Sequence, residues 1–179
     1  DRPVSLPDEA IDVSIRFGDM PDSRLIAKKI AANRRLLCAS PTYLRTAGHP
    51  AHPHELTQHQ CIVLRQNEAA YGNWRLSRGK QTETVKVHGK LSTNDGEVAL
   101  NWALEGHGIL MRAEWDVAKY LRSGRLVQVL ADYDTPPADI HAVYPERLNL
   151  SAKVACFVEH LRDYLRQHAD GPSPGKSNW

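Results

Sequence analysis

The stretch "LSTNDGEVALNWALEGHGILM", residues 91–111, joins a helix start, a short apolar helix and a second apolar run entered through two glycines. Asn94 is a residue type that caps helices, Glu97 stands three positions on where it can reach back to the cap amide, and Asp95 favours the positive end of the helix dipole. Val98, Ala99, Leu100, Trp102, Ala103 and Leu104 leave little of the helix polar, which predicts burial on more than one side. Gly96 in the first turn lets another group approach the backbone closely. A buried helix whose unpaired amides open onto a cleft makes an anion site suited to a carboxylate, while the same capping residues equally serve helix stability alone.

Downstream, "GILM", "EWDVAKYLRSG" and "RLVQVL" read as strand, amphipathic helix closed by Gly124, and strand, a pattern that predicts parallel strands covered by helices. "TPPAD" is a turn, and "IHAVYP" is a strand ended by Pro145. "SAKVACFVEHLRDYLRQ" is a long helix capped by Ser151, with Val154, Phe157, Val158, Leu161, Tyr164 and Leu165 on one face. Upstream, "NWRLSRGKQTETVKV" reads as a hairpin turning at Arg78-Gly79, with Trp74, Leu76, Val85 and Val87 alternating with polar neighbours. "CIVLR" is a strand, and the proline-rich and histidine-rich "HPAHPHELTQ" is a loop with at most one helical turn. Leu25 to Ala31 and Arg35 to Ala39 are extended, and Ser40-Pro41 opens a helix as N-cap and N1. "LPDEAIDVSIRFGD" combines a short polar helix with a strand from Val13 to Phe17.

The 179 residues suffice for one sizeable domain or two small lobes. Lys and Arg total 23 against 21 Asp and Glu, and they are scattered, which excludes a dedicated nucleic-acid surface. The pairs Lys28-Lys29 and Arg34-Arg35 read as solvated faces. The apolar stretches fall short of the roughly 20 residues of a membrane helix. The opening "DRPVSLPDE" has no signal-peptide character, so a soluble, cytoplasmic protein is expected. Cys38, Cys61 and Cys156 are odd in number and lie in or beside apolar runs, as reduced core thiols do. His49, His52, His54 and His59 with Cys61 invite a metal reading. Prolines interrupt that run and its spacing matches no closed tetrahedral set, so no metal and no cofactor are expected. No nucleophile elbow, phosphate loop, dinucleotide fingerprint or zincin motif is present, and no catalytic residue is expected.

The succession "DRPVSLPDEAIDVSIRFGDMPDSRLIAKKIAANRRLLCASPTYL", followed by "LSTNDGEVALNWALEGHGILM", "GRLVQVL" and "IHAVYP", resembles the regulatory domain of LysR-type transcriptional regulators across residues 1 to about 166. The resemblance implies an α/β fold like the type 2 periplasmic binding proteins, with two lobes, mostly parallel sheets and a small effector held in the cleft between them. It implies a second lobe over residues 38–144 and a first lobe from 1–37 plus 145–168, while the low apolar content of the last residues predicts a disordered tail over 169–179. Members of the family carry an N-terminal winged helix-turn-helix, a linker helix and a first strand-helix-strand unit. None of these precedes Asp1, so the first lobe is expected to be incomplete. DNA would then be bound only through the missing part, and the intact protein would be a homodimer or homotetramer without membrane contact.

Carried over residue by residue, the resemblance places four groups at the ligand. Arg16, Phe17 and Gly18 end a strand, and the Arg16 guanidinium can grip a carboxylate bidentately. Ser40 offers a hydroxyl; Thr93, Asn94 and Asp95 form the helix start; Tyr144 can stack on a ligand. On the residues alone, Arg16 is equally a solvated strand-end charge, Ser40 a plain cap and Tyr144 a core residue. The function implied is the sensing of a small metabolite, such as an organic acid, by a transcriptional regulator. A solute-binding protein for uptake has the same fold and is the alternative.

Overall fold

Continuous apolar runs such as "RLLCA" and "CIVL" are strands buried on both faces, because alternate residues must then meet two different cores. The computed structural model describes residues 11–18, 25–65, 72–146 and 151–169, and it divides the chain into two units. Unit 1 runs from Arg35 to Pro136, and unit 2 combines the described residues up to Arg34 with those from Pro137 onward. Both crossings therefore fall earlier than the expected boundaries at 37/38 and 144/145. Strand Ile140–Pro145 pairs wholly inside unit 2, so it cannot end the other lobe.

Unit 1 contains β3 (Arg35–Ala39), α1 (Pro41–Ala47), β4 (Cys61–Leu64), the hairpin β5 (Asn73–Arg78) and β6 (Gln81–Lys86), and β7 (Ser92–Thr93). It continues through α2 (Gly96–Leu104), β8 (Ile109–Ala113), α3 (Glu114–Arg122) and β9 (Val127–Gln128). Its five-stranded sheet has the order β7-β4-β8-β3-β9. β4 runs parallel to β7 and β8, while β3 runs antiparallel to β8 and β9. The strands flanking α3 are thus parallel, as the strand-helix-strand pattern predicts, but β3 lies between them.

The two faces sort by parity. Leu37, Ala39, Cys61, Val63 and Ile109 meet α1 and the hairpin residues Trp74, Leu76 and Val85, with Val87 just beyond it. Leu36, Cys38, Ile62 and Leu110 meet Ala99, Leu100 and Ala103 of α2 and Val117 of α3. α2 is buried on that one face only, with Glu97, Val98 and Asn101 exposed, which corrects the expectation of a helix enclosed on several sides. The segment expected to hold at most one turn forms a six-residue 3-10 helix, Pro53–Gln58, anchored by buried Pro53 and Leu56. At three residues per turn that is two turns.

Unit 2 contains β1 (Ser14–Phe17), β2 (Leu25–Ala31), β10 (Ile140–Pro145) and α4 (Ala152–Ala169). Its sheet has the order β1-β10-β2, and central β10 is antiparallel to both neighbours. Ile140, Ala142 and Tyr144 point to one face and pack on Val154 and Val158 of α4, with Leu161 and Leu165 beside them. Phe157 and Tyr164, expected on that face, are 47 % and 51 % exposed. The contacting residues 154, 158, 161 and 165 follow the i, i+4, i+7, i+11 stripe, which leaves the other two beside it. The polar helix expected before Asp12 and the tail beyond Ala169 lie outside the described residues.

Cys38 and Cys61 are buried, and burial pushes each thiol up to about 12. Cys156 is exposed on α4, which corrects its assignment to the core.

Candidate functional site

In unit 1 the carboxyl ends of β4, β7 and β8 lie along one sheet edge, where helices of an α/β unit begin. Leu64 stands beside Thr93, and the Arg65 amide donates to the Thr93 carbonyl at 2.7 Å. The turn into α2 is closed from within. The Asp95 amide donates to Thr93 Oγ1 at 3.0 Å, and Asp95 Oδ1 accepts the Glu97 and Val98 amides at 2.8 and 3.1 Å. The cap is therefore Asp95, one residue later than the expected Asn94. Asp95 is the better choice because a charged acceptor on two amides also complements the dipole. Those two hydrogen bonds, Val98 first, hold its carboxyl below the ordinary carboxylate range. Two of the amides expected to await an anion are already bound to this carboxylate.

Arg112, which sequence reasoning passed over, joins Arg65 in bringing positive charge to this edge. A Cβ on Gly96 would lie 2.2 Å from both terminal guanidinium nitrogens, so the glycine makes room for Arg112 to lie across the start of α2. Arg112 Nη2 stands 2.5 Å from Asp116 Oδ2, an i,i+4 ion pair that spans the junction of β8 and α3. The signal was present in "MRAEWD", where Arg and Asp are four residues apart, but only the register puts Arg112 beside α2. The polar groups at this edge are thus already engaged with one another: Arg112 with Asp116, the Asp95 carboxylate with two amides, and the Thr93 carbonyl with the Arg65 amide.

Ser40 is elsewhere. It is 2 % exposed, and its Oγ accepts the Tyr43 amide at 3.2 Å, as a cap does. Its Oγ is 3.4 Å from where a Cβ on Gly106 would sit, at the turn that leads into β8 from the opposite end. Leu36, not Ser40, is the β3 residue level with Arg112. Four residues of strand separate the two, roughly 13 Å at 3.3 Å per residue. Ser40 and Thr93–Asp95 are not brought together.

In unit 2, Arg16 stands opposite His141, and His141 opposite Lys29, so three basic side chains form one row across three strands. Lys29 Nζ bonds Asp139 Oδ2, and the Asn33 amide donates to Asp139 Oδ1 at 3.2 Å. Burial pushes the Asp139 carboxyl up, but Lys29 and the Asn33 amide outweigh it and leave it below its ordinary value. Gly18, at φ +82°, directs its amide to the Asp139 carbonyl at 3.0 Å, and the His141 Nδ1–H donates to that carbonyl at 3.1 Å. Phe17 stands opposite Ile140 and is exposed. Tyr144 pairs with Ile26 on the α4 face, 5 % exposed, whereas Arg16 shares the parity of His141 on the other face. The sheet separates Tyr144 from Arg16.

Among the described residues no group of three or more His, Cys, Asp or Glu side chains is placed to hold a metal ion. No described helix is long and apolar enough to cross a membrane.

Two α/β units, with the chain passing from one to the other and back, define the class of two-lobed ligand-binding domains. The chain belongs to the LysR substrate-binding domain family, whose model matches residues 2–166. It is 42 % identical over 175 residues to the HTH-type transcriptional activator TtdR of Escherichia coli strain K12, covering 98 % of this chain and 56 % of that protein. It is 44 % identical over 168 residues to the HTH-type transcriptional regulator DmlR of the same strain, covering 94 % of this chain and 54 % of that protein. The chain thus spans about half the length of these relatives. Among solved structures, the CrgA regulatory domain of Neisseria meningitidis, a LysR-type transcriptional regulator, matches with a TM-score of 0.77 at 25 % identity over 89 % of this chain and 78 % of that one. The full-length virulence activator AphB of Vibrio cholerae matches with a TM-score of 0.73 at 30 % identity over 92 % and 55 %.

Proposed function

We propose that this chain is the effector-sensing part of a cytoplasmic, DNA-binding transcriptional regulator, and that it binds a small organic acid without converting it. The reading of a regulator is carried by membership of the LysR substrate-binding family over residues 2–166, with two named transcriptional regulators above 40 % identity. The acid is supported by the row Arg16–His141–Lys29 in one unit and by the Arg112 guanidinium lying against Gly96 at the start of α2 in the other. A guanidinium at a strand end offers a carboxylate two parallel donors, which a lysine does not. Arg16, Phe17, Gly18, Thr93, Asn94 and Asp95 are the residues proposed to bear on the ligand. Homodimer or homotetramer formation and DNA contact belong to the whole protein.

The test is thermal unfolding of the full-length protein against a panel of small mono- and dicarboxylates. A ligand present at 100 times its Kd adds about 2.7 kcal/mol of stability, so the midpoint rises with concentration. Arg16→Ala abolishes that rise for acids while leaving the unliganded midpoint in place. A rise that survives Arg16→Ala unchanged refutes the acid reading. Tight, steeply salt-dependent DNA binding by residues 1–179 alone refutes the division of labour between sensing and DNA contact.

A further inference from the structure

The histidine-rich segment that suggested a metal has a different chemistry in the fold. Its backbone bonds are local: the Glu55 amide donates to the His52 carbonyl at 3.1 Å, and the His59 amide to the Leu56 carbonyl at 3.2 Å. The Ala51 amide donates to Glu55 Oε2 at 3.0 Å, again within the segment. The segment is fastened to the rest of unit 1 by the burial of Pro50, Pro53 and Leu56, by the Cys61 thiol, which donates to the Leu56 carbonyl at 3.7 Å, and by a polar knot at its end. There Tyr43 Oη, from α1, accepts the Gln60 amide at 2.9 Å and lies 3.1 Å from His59 Nδ1 and 3.5 Å from the Gln60 carbonyl oxygen. His59 is 7 % exposed.

The knot dictates where its protons go. A phenol has one proton to give, and His59 Nδ1 at 3.1 Å is a nearer acceptor than the Gln60 carbonyl at 3.5 Å, an arrangement that favours a neutral ring with Nδ1 bare and its proton on Nε2. A protonated ring turns Nδ1 into a donor aimed at the same oxygen that already accepts from Gln60. The tyrosine proton must then swing to the carbonyl at 3.5 Å, the outer limit of a hydrogen bond, while a charge enters a buried place.

We propose that the His59–Tyr43 contact is an acid-sensitive latch that holds the His49–His59 segment on unit 1 at neutral pH and releases it when the imidazole takes a proton. Burial sets His59 below its ordinary value, with Glu55 opposing that shift and His49 adding to it. Tyr43 is itself raised by burial, and Cys61 on β4 beneath it stays a neutral thiol. His52 and His54, on the same segment, stack on each other with ring centres 5.7 Å apart and planes at 10°. The sign follows: a group that binds protons more tightly in the open segment leaves the latch intact above the ordinary imidazole range near 6.5. Below it, the opening constant rises as pH falls, by up to about tenfold per pH unit.

Hydrogen exchange of the full-length protein between pH 8 and 5, corrected for intrinsic chemistry, tests this, with residues 49–60 as reporter and β8 as internal reference. In the native sequence residues 49–60 lose protection by up to about tenfold per pH unit below about 6.5, while β8 does not. His59→Asn puts a non-titrating carbonyl near the Nδ1 position and flattens the profile. Replacing His49, His52 and His54 together by Asn keeps the step. Protection that stays flat in the native sequence, or falls equally in β8, or a step that survives His59→Asn, overturns the latch. Ring 15N shifts of the native protein at pH 7.5 give a check independent of any variant: the Nε2–H tautomer is required, and an Nδ1–H tautomer overturns the proposal.

Discussion

Ser40→Ala separates a structural serine from a ligand-binding one. In the native chain the Ser40 hydroxyl accepts the Tyr43 amide at 3.2 Å in a place 2 % exposed, and Leu44 begins the helical ladder on the Ser40 carbonyl at 3.1 Å. Alanine removes the acceptor, adds no bulk, and leaves a buried amide unpaired. Losing an N-cap serine costs about 1 kcal/mol, and the unpaired buried donor raises that to about 1.5 kcal/mol. With a urea slope of about 2 kcal/mol/M for a unit of this size, the midpoint falls by about 0.7 M. A drop of about 6 to 12 °C in the thermal midpoint of this unit goes with it. Urea unfolding followed by the fluorescence of Trp74, buried in the same core as Tyr43, reads the change in unit 1. The organic-acid response, measured on the same variant as a rise in midpoint, keeps its full size, because Ser40 sits at the sheet end remote from Thr93. An unchanged urea midpoint refutes the cap argument. A normal midpoint with the acid response gone refutes the placement of the site.

Gly108→Ala drives a Cβ to 2.4 Å from the Gln60 carbonyl oxygen, a backbone atom that cannot swing away, and lowers unfolding stability by about 2 kcal/mol in urea titration. A thiol reagent at pH 7.5 labels Cys156 in the native chain and reaches Cys38 and Cys61 only after denaturation, because burial raises both thiols to about 12; mass spectrometry counts the adducts. Asp139 contributes stability above the ordinary carboxylate range, and that contribution is lost as pH falls through its lowered value. Asp139→Asn is therefore less stable than the native chain at pH 7, and the difference shrinks as pH falls below the ordinary carboxylate range, read by urea midpoints.

Local patterns carried most of the fold. Period-two alternation of Trp74, Leu76 and Val85 around Arg78-Gly79 yielded the hairpin, Ser40-Pro41 yielded the start of α1, and Gly124 closed α3 at φ +72°. Where the reading slipped, neighbouring residues competed for one role. Asn94 and Asp95 both cap helices, and the decision fell to Asp95 because Thr93 Oγ1 accepts its amide and turns its carboxylate onto the helix. On α4, Phe157 and Tyr164 are as apolar as their neighbours, and only packing on β2 and β10 selects which stripe is buried. The histidines illustrate the converse: their number drew attention to a metal, whereas the informative feature was the single ring held by Tyr43.

The site was less legible than the fold, for a reason that register makes concrete. Each candidate was carried over from the resemblance, which fixes its place along the chain but not the sheet end or face on which pairing puts it. Ser40 follows β3 and Thr93 ends β7, but β3 runs antiparallel to β8 while β7 is parallel to β4 and β4 to β8, so these two chain ends point to opposite sheet edges. Within unit 2, parity plays the part that direction plays in unit 1, since Arg16 and Tyr144 both belong to rows of β10 yet emerge on opposite faces. Direction and parity are properties of pairing, and nothing within a single strand encodes them. The same logic brings forward Arg112, which holds no special place in the sequence. A parallel β4–β8 pair beside β7 makes it neighbour to the first turn of α2, and a glycine at position 96 is what allows it there. A carboxylate ligand approaching Thr93–Asp95 would therefore meet an arginine already paired with Asp116, and its affinity would depend on how readily that arginine exchanges partners.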